Sequence, residues 1–283
     1  MSTARFGPTA STAADRQPEL ETAWVYMVRC ADGSLYSGWT NDLARRLRAH
    51  KGGSAGAKYT HAKGAVKLAY AERCTDKSAA LKREAALKKL SKADKEALAG
   101  RWAAENTITL RDAVPEDAAA VAALYNWYVT HTTATFQYDL STEDFQRENI
   151  LSVQQRAPFL VAVNAAGRLC GFACAHPWRT RQAFAWDVEL TVYCAHDCVG
   201  QGVGKRLYQA LIDGVRQRGY CNAVALVTSQ NWESCAFHKA LGFKKIGTEP
   251  RTGYKFGQWL DLTYWWMDLR PGQEPPEPVR FAP

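Results

Sequence analysis

Residues 186–205 read WDVELTVYCAHDCVGQGVGK, an apolar strand running into a loop with glycines at 200, 202 and 204, then the start of a helix. Glycines at alternate positions leave backbone N–H groups uncovered, and a helix start adds partial positive charge. Together they can cradle a pyrophosphate. Glu189 lies on the strand that feeds this loop. A carboxylate beside an anion-binding turn points to chemistry rather than scaffolding.

The chain has 283 residues, longer than one typical domain, so two are expected. A hydrophobic content of 47% excludes wholesale disorder. No apolar run approaches the ~20 residues that cross a bilayer, so no membrane partner is expected. Residues 1–22 lack an apolar signal core and read as a disordered tail. The Pro-rich residues 272–283 read as a second one. The expected location is cytoplasmic.

Charge is unevenly spread. Residues 23–103 carry 17 Lys and Arg against 7 Asp and Glu, whereas 104–283 carry 17 against 18. So basic a block has the electrostatic footprint of a nucleic-acid binder, and it equally fits a solvated Lys-rich surface. Eight cysteines are present, with 170/174 and 194/198 each three residues apart. No CxxC pair occurs, so small buried hydrophobes are expected there rather than a zinc site. Without a secretion signal, disulfides are not expected.

Two patterns divide the chain. In the first, 24–30 and 34–39 read as strands around the turn 31–33, and Asn41 or Asp42 caps a helix ending near Gly52. Residues 68–72 suggest a third strand. Residues 77–98 form a basic helix or helix pair with Leu81, Ala85, Leu87 and Leu90 on its apolar side. A short polar join spans 101–106. The second pattern runs strand 108–112, helix 115–128, helix 144–155, strand 159–163, strands 170–177 and 185–194, helix 204–218, strand 223–228, helix 233–241 and strands near 243–249 and 260–269. This is α+β with a mixed sheet.

Residues 106–270 resemble the GNAT superfamily of acetyl-CoA-dependent N-acetyltransferases, in particular the phosphinothricin/methionine-sulfone branch. The resemblance rests on an ordered set: ITLRDA at 108–113, TTATF at 132–136, Trp178-Arg179, VELTVY at 188–193, GQGVG at 200–204, Asn231 with Ser234, HKALGF at 238–243 and KFGQWLD at 255–261. It implies that Thr191, Val192 and Tyr193 hold the pantetheine arm of acetyl-CoA as an added strand. Val199, Gly200, Gln201, Gly202, Val203 and Gly204 would hold the pyrophosphate, with Asn231 on the pantetheine end. Glu189 would be the general base and the N–H near Val192 the polarising donor. Trp178, Arg179, Thr180, Val188, Glu189 and Leu190 would wall the acceptor pocket, Arg179 clamping a carboxylate. Val199 departs from the Gln or Arg usual at its position, and Gln137 stands where many relatives carry an acid. Relatives of this branch are commonly dimers, which implies a homodimer here, and the run 264–266 (Tyr-Trp-Trp) fits either such a contact or a core strand.

Residues 23–99 resemble the small GIY-YIG nuclease-like proteins. The signature stands as Trp24-Val25-Tyr26 and Tyr36-Ser37-Gly38, followed by 40–46, His50, the AKYT of 57–60, and Arg83-Glu84. It implies Tyr26 and Tyr36 near an attacking water, Arg46 on the scissile phosphate, and Glu84 as ligand to a divalent cation, Mg²⁺. The surrounding Lys and Arg would grip DNA through its backbone.

The resulting expectation is a tail over 1–22, a small α/β GIY-YIG domain over 23–103, a mixed-sheet GNAT domain over 104–271, and a tail over 272–283. The expected activity is acetyl transfer from acetyl-CoA to the amine of a small amino-acid-like substrate, fused to a DNA-binding endonuclease module. The alternative is a DNA-processing, structure-specific nuclease whose acetyltransferase domain is accessory or protein-directed.

Overall fold

A computed structural model describes residues 23–50, 64–196, 198, 201–272 and 277–281. The AKYT segment at 57–60, and Val199 and Gly200, lie outside the described residues.

β1 (Ala23–Cys30) is the middle strand of a three-stranded antiparallel sheet, between β2 (Leu35–Thr40) and β3 (Ala65–Cys74). Its alternation feeds two cores. Trp24, Tyr26 and Val28 pack with Leu43 and Leu47 of α1 (Leu43–His50), while Val25 and Met27 pack with Leu87 and Ala99 on the opposite face. Asp42 caps α1, its carboxylate accepting from Arg45 N at 2.8 Å.

The basic run is two helices, α2 (Lys77–Lys89) and α3 (Lys92–Glu105), capped by Asp76 and Ser91. The expected apolar side is corrected: Leu81 and Ala85 are exposed, and the inward face is Ala80 and Leu87, with Glu84 on the turn between them. A carboxylate placed in an apolar stripe displaces the hydrophobic register by a residue. The join is also shorter than expected. Residues 101–105 continue α3, and Trp102 packs against both N-terminal cores.

The remainder is a seven-stranded mixed sheet in the order β4-β5-β6-β7-β8-β10-β9. Its strands are β4 (Ile108–Asp112), β5 (Phe159–Asn164), β6 (Leu169–Pro177), β7 (Asp187–Cys194), β8 (Asn222–Thr228), β9 (Lys244–Lys255) and β10 (Gln258–Asp268). Around it lie α4 (Ala118–His131), α5 (Glu143–Gln154), α6 (Val203–Gln217) and α7 (Trp232–Ala240). α6 carries its buried residues at 203, 207, 208, 211, 212 and 215, the period of a helix with one face in the core. Each such large side chain contributes about 1.5–3 kcal/mol by leaving water. β10 is a core strand at Tyr264-Trp265-Trp266: Trp265 is buried, and Trp266 Nε1 donates to Asn222 Oδ1 at 3.0 Å.

Part of the C-terminal stretch expected to be a tail is packed. Trp186 Nε1 donates to Glu277 O and Arg280 N to Arg218 O, both at 2.7 Å, while Val279 lies against the core. Proline-rich composition disfavours helix and sheet, yet single backbone groups still find partners on an existing surface.

Lys255 ends β9 almost fully buried, its Nζ donating to Thr135 O at 2.7 Å and lying over the Phe256 ring. Burial lowers its pKa from 10.5 to about 8. Between those values the unfolded chain holds a proton that the folded chain has shed, so stability rises with pH across that window. Denaturant melts at about pH 8 and about pH 10 are expected to show a smaller rise in Lys255→Met than in the wild type. Equal rises would remove Lys255 as the source.

Candidate functional site

β7 and β8 are parallel neighbours for three residues only, with Asp187, Val188 and Glu189 opposite Asn222, Ala223 and Val224. β7 stays paired with β6 as far as Cys194, and β8 with β10 as far as Thr228. Each strand is therefore satisfied on its outer edge, and the inner edges diverge. The wedge opens a cavity of about 1150 Å³ whose walls include Glu189 to Cys194 on one side and Ala225 to Thr228 on the other. Thr228 Oγ1, in that wall, is buried without a hydrogen-bond partner among the described residues. An extended ligand bearing amides fits both features, because the free strand edges offer a ladder and the orphan hydroxyl a partner.

Glu189 sits at the vertex of the wedge. Burial raises its carboxyl above the usual carboxylate range. Across the β6–β7 ladder it faces His176, whose imidazole burial holds below its ordinary value, so the histidine is neutral near pH 7. The neighbouring Cys174 thiol is pushed up to about 12 by burial and by the charge of Glu189. The local acid–base work therefore falls to the carboxylate.

At the far end of β7 the chain enters the glycine turn. Gly202 has φ +70°, a left-handed conformation that sets the backbone for the start of α6. Gly204 lies under Cys194, where an added Cβ would come within 3.2 Å of the sulfur. Thr191, Val192, Tyr193, Gly204 and Asn231 all line the cavity. Gln201 is half-buried in the turn, whereas the Val203 side chain is buried in the core, so Val203 offers only its backbone. Asn231 caps α7 by accepting from Ser234 N at 3.1 Å, which leaves its amide NH₂ as the donating group.

On the acceptor side, Glu189 and Leu190 line the cavity, whereas Val188 is fully buried on the opposite face of β7 and walls nothing. The strand period accounts for that correction. Trp178, Arg179 and Thr180 lie in the loop after β6, outside the main cavity walls. Arg179 is held between the Trp178 and Phe184 rings, 5.3 Å from each centroid. Tyr264 lies edge-on to Trp178 with ring centroids 6.1 Å apart, and its hydroxyl donates to Glu249 Oε2 at 2.7 Å.

A second cluster occupies the N-terminal sheet. Tyr26 Oη accepts from Arg46 Nε at 2.9 Å and donates to His50 Nε2 at 2.7 Å. Burial raises the Tyr26 phenol to about 12, and burial with the adjacent Arg46 lowers His50 to about 4. At neutral pH this is a phenol bonded to a neutral imidazole and a guanidinium. Tyr36 lies edge-on to His50 at 5.5 Å and also reaches Arg46. Gly38 is required opposite Tyr26, because a Cβ there would lie 2.7 Å from the phenol oxygen. Glu84 is near enough to raise the Tyr26 pKa and pairs with Lys88 at 2.8 Å. Arg83 instead holds Glu72 at 2.7 Å and has a structural part.

The structure also brings in residues to which no local sequence pattern gives a part: His50 in the Tyr26 cluster, and His176, Thr228, Arg48, Trp232 and Glu233 in the cleft lining. Of these, His176 alone was within reach, through its register opposite Glu189. Among the described residues no two cysteines form a disulfide, no three His, Cys, Asp or Glu gather as a metal site, and no helix is long and apolar enough to cross a membrane.

Comparison with known proteins agrees with this geometry. A GIY-YIG catalytic domain model matches residues 22–97, and an acetyltransferase (GNAT) domain model matches residues 110–264. A phosphinothricin N-acetyltransferase of Streptomyces viridochromogenes is 35% identical over 173 residues, 61% of this chain and 93% of that protein. An L-methionine sulfoximine/L-methionine sulfone acetyltransferase of Pseudomonas aeruginosa is 37% identical over 171 residues, 59% of this chain and 98% of that protein. Among solved structures, a phosphinothricin acetyltransferase from Sinorhizobium meliloti in complex with acetyl-CoA superposes with a TM-score of 0.58 at 30% identity, covering 61% of this chain and 95% of that one. A putative acetyltransferase from Salmonella typhimurium with its cofactor acetyl-CoA gives 0.57 at 34% identity, covering 60% and 98%. With its GNAT match spanning more than half of its length, behind a GIY-YIG domain, the chain belongs to the GNAT acetyltransferase family.

Proposed function

We propose that the C-terminal domain transfers an acetyl group from acetyl-CoA to the amine of a small amino-acid-like substrate. The observation that supports this reading is the divergence of β7 from β8 beyond Glu189, with that carboxylate at the vertex of a cleft walled by free strand edges. Acetyl-CoA supplies the activated thioester. Thr191, Val192 and Tyr193 would hold its pantetheine arm, the turn through Gly202 and Gly204 its phosphates, and the Asn231 amide a polar group along the arm.

An amino-acid ammonium has no lone pair, so Glu189 must first take its proton. Its raised pKa makes it a stronger base than an exposed carboxylate, while neutral His176 adds no competing charge. Donors on the β7 backbone near Val192 would face the oxygen on which negative charge develops. Arg179, stacked on two rings just outside the cleft wall and without an ion pair among the described residues, would fix a carboxylate on the acceptor. Gln137, in the cavity wall, offers an amide where an acid would repel such a carboxylate. Phosphinothricin and methionine sulfone are the acceptor types named for the relatives.

Glu189→Gln is expected to lower kcat by about 10²–10⁴-fold with a small change in KM for acetyl-CoA, read as free thiol released with a panel of amino acids and sulfoximines. In the wild type, activity should fall as pH drops through the raised Glu189 pKa, and the variant should lose that limb. Unchanged turnover in the variant would refute the assignment.

A second reading, favoured by the Tyr26–Arg46–His50 cluster, is that the N-terminal domain cleaves DNA. Arg46 can neutralise phosphate, with the Tyr26 hydroxyl bonded beside it. Glu84 is the nearby carboxylate, and Mg²⁺ commonly takes one or two carboxylates together with substrate phosphates, so a Mg²⁺ held this way fits the donor set. Salt-sensitive DNA binding and Mg²⁺-dependent nicking of plasmid are expected, with nicking lost in both Arg46→Ala and Tyr26→Phe. A wild-type chain inert toward DNA at low salt would end this reading.

A further inference from the structure

Helix α1 belongs to the N-terminal domain, yet one side of it faces the glycine turn of the other domain. Arg46 and His50 point to the Tyr26 cluster. Ala44, Leu47 and Arg48 instead line a smaller cavity of about 430 Å³, whose opposite wall is Cys194 and the 202–205 backbone. Arg48 also lines the large cleft, beside Trp232 and Glu233 at the start of α7. Its guanidinium pairs with Glu233 at 2.5 Å and lies 5.7 Å from the Trp232 ring centroid.

We propose that Arg48, supplied by the N-terminal domain, is a ligand for the phosphates of CoA bound in the C-terminal cleft. The proposal rests on the acetyl-CoA reading above. CoA carries a diphosphate and a ribose phosphate beyond its pantetheine arm, so its most charged part must leave the cleft past the turn that Arg48 overlooks. A planar guanidinium binds phosphate bidentately and, unlike Lys, is held in plane by the neighbouring indole.

The pair with Glu233 does not compete strongly. Both side chains are nearly half exposed, and such ion pairs contribute little. Glu233 itself repels a phosphate arriving at the same mouth. Without Arg48 it would disfavour CoA, and with Arg48 its charge is balanced until the phosphates replace it. The two residues therefore act with opposite sign on the same ligand, which a merely structural salt bridge between domains does not do. Among the described residues, Arg48 is the one residue of the N-terminal domain in the lining of the cleft.

Calorimetric titration of the full chain with CoA, and with S-acetylpantetheine, which lacks phosphates, tests this. Arg48→Ala is expected to weaken CoA binding roughly tenfold, the worth of a charge-assisted contact, and to leave S-acetylpantetheine unchanged. Arg48→Lys should recover part of the loss, and Glu233→Gln should tighten CoA. Equal weakening of both ligands, or no weakening of CoA, overturns the proposal. A wild-type chain that does not bind CoA at all removes the acetyl-CoA reading, and this proposal with it.

Discussion

The C-terminal domain depends on two parallel strands being stitched at one end and free at the other. Asn222 does much of the stitching, donating to Asp187 Oδ1 at 2.7 Å and accepting from Trp266 Nε1. Cys221 N and Asn222 N both donate to Trp186 O just before the ladder begins. Beyond Glu189 the β7–β8 ladder stops, while β7 remains paired with β6 and β8 with β10 on their outer edges. Aromatic side chains pack along β7 in the cleft wall: Tyr193 lies against Tyr125, Tyr128 and Phe172, and the Tyr128 hydroxyl donates to Cys194 O at 2.7 Å. Unpaired backbone is costly when buried, so a wedge of this kind persists where an extended ligand can complete it.

The N-terminal domain solves a different problem with similar means. Strand β1 sends alternate side chains to two cores, and one of them, Tyr26, is both a core residue and the centre of a polar cluster. Its phenol is fully buried, so its oxygen has to be satisfied within the protein. Arg46 and His50, one turn apart on α1, do this from a single helix face. Gly38 makes room for the ring on the neighbouring strand. Packing and chemistry therefore constrain the same few positions.

Much of this was legible in the residues. The strand at 24–30, the cap of α1 at Asp42 and the helix following the glycines each reflect local sequence, and each formed where its pattern placed it. The misreadings share a cause. The stripe on α2 shifted because Glu84 faces inward toward Tyr26, a long-range demand invisible to helical periodicity. Val188, which the resemblance puts beside Glu189 in the acceptor wall, is buried in the core, because adjacent strand residues face opposite sides.

What the amino-acid order determined by itself is therefore the set of elements, the carboxylate at 189 and the glycine turn that starts α6, since propensity, capping and the freedom of glycine act over a few residues. Only the tertiary structure decided where β7 leaves β8, that Thr228 would stand without a partner in the cleft wall, and that Arg48 would meet Glu233 across a domain boundary. Those outcomes join residues far apart in the chain. They follow from which strand edges are already paired and which surfaces remain to be buried, quantities that no local stretch of sequence contains.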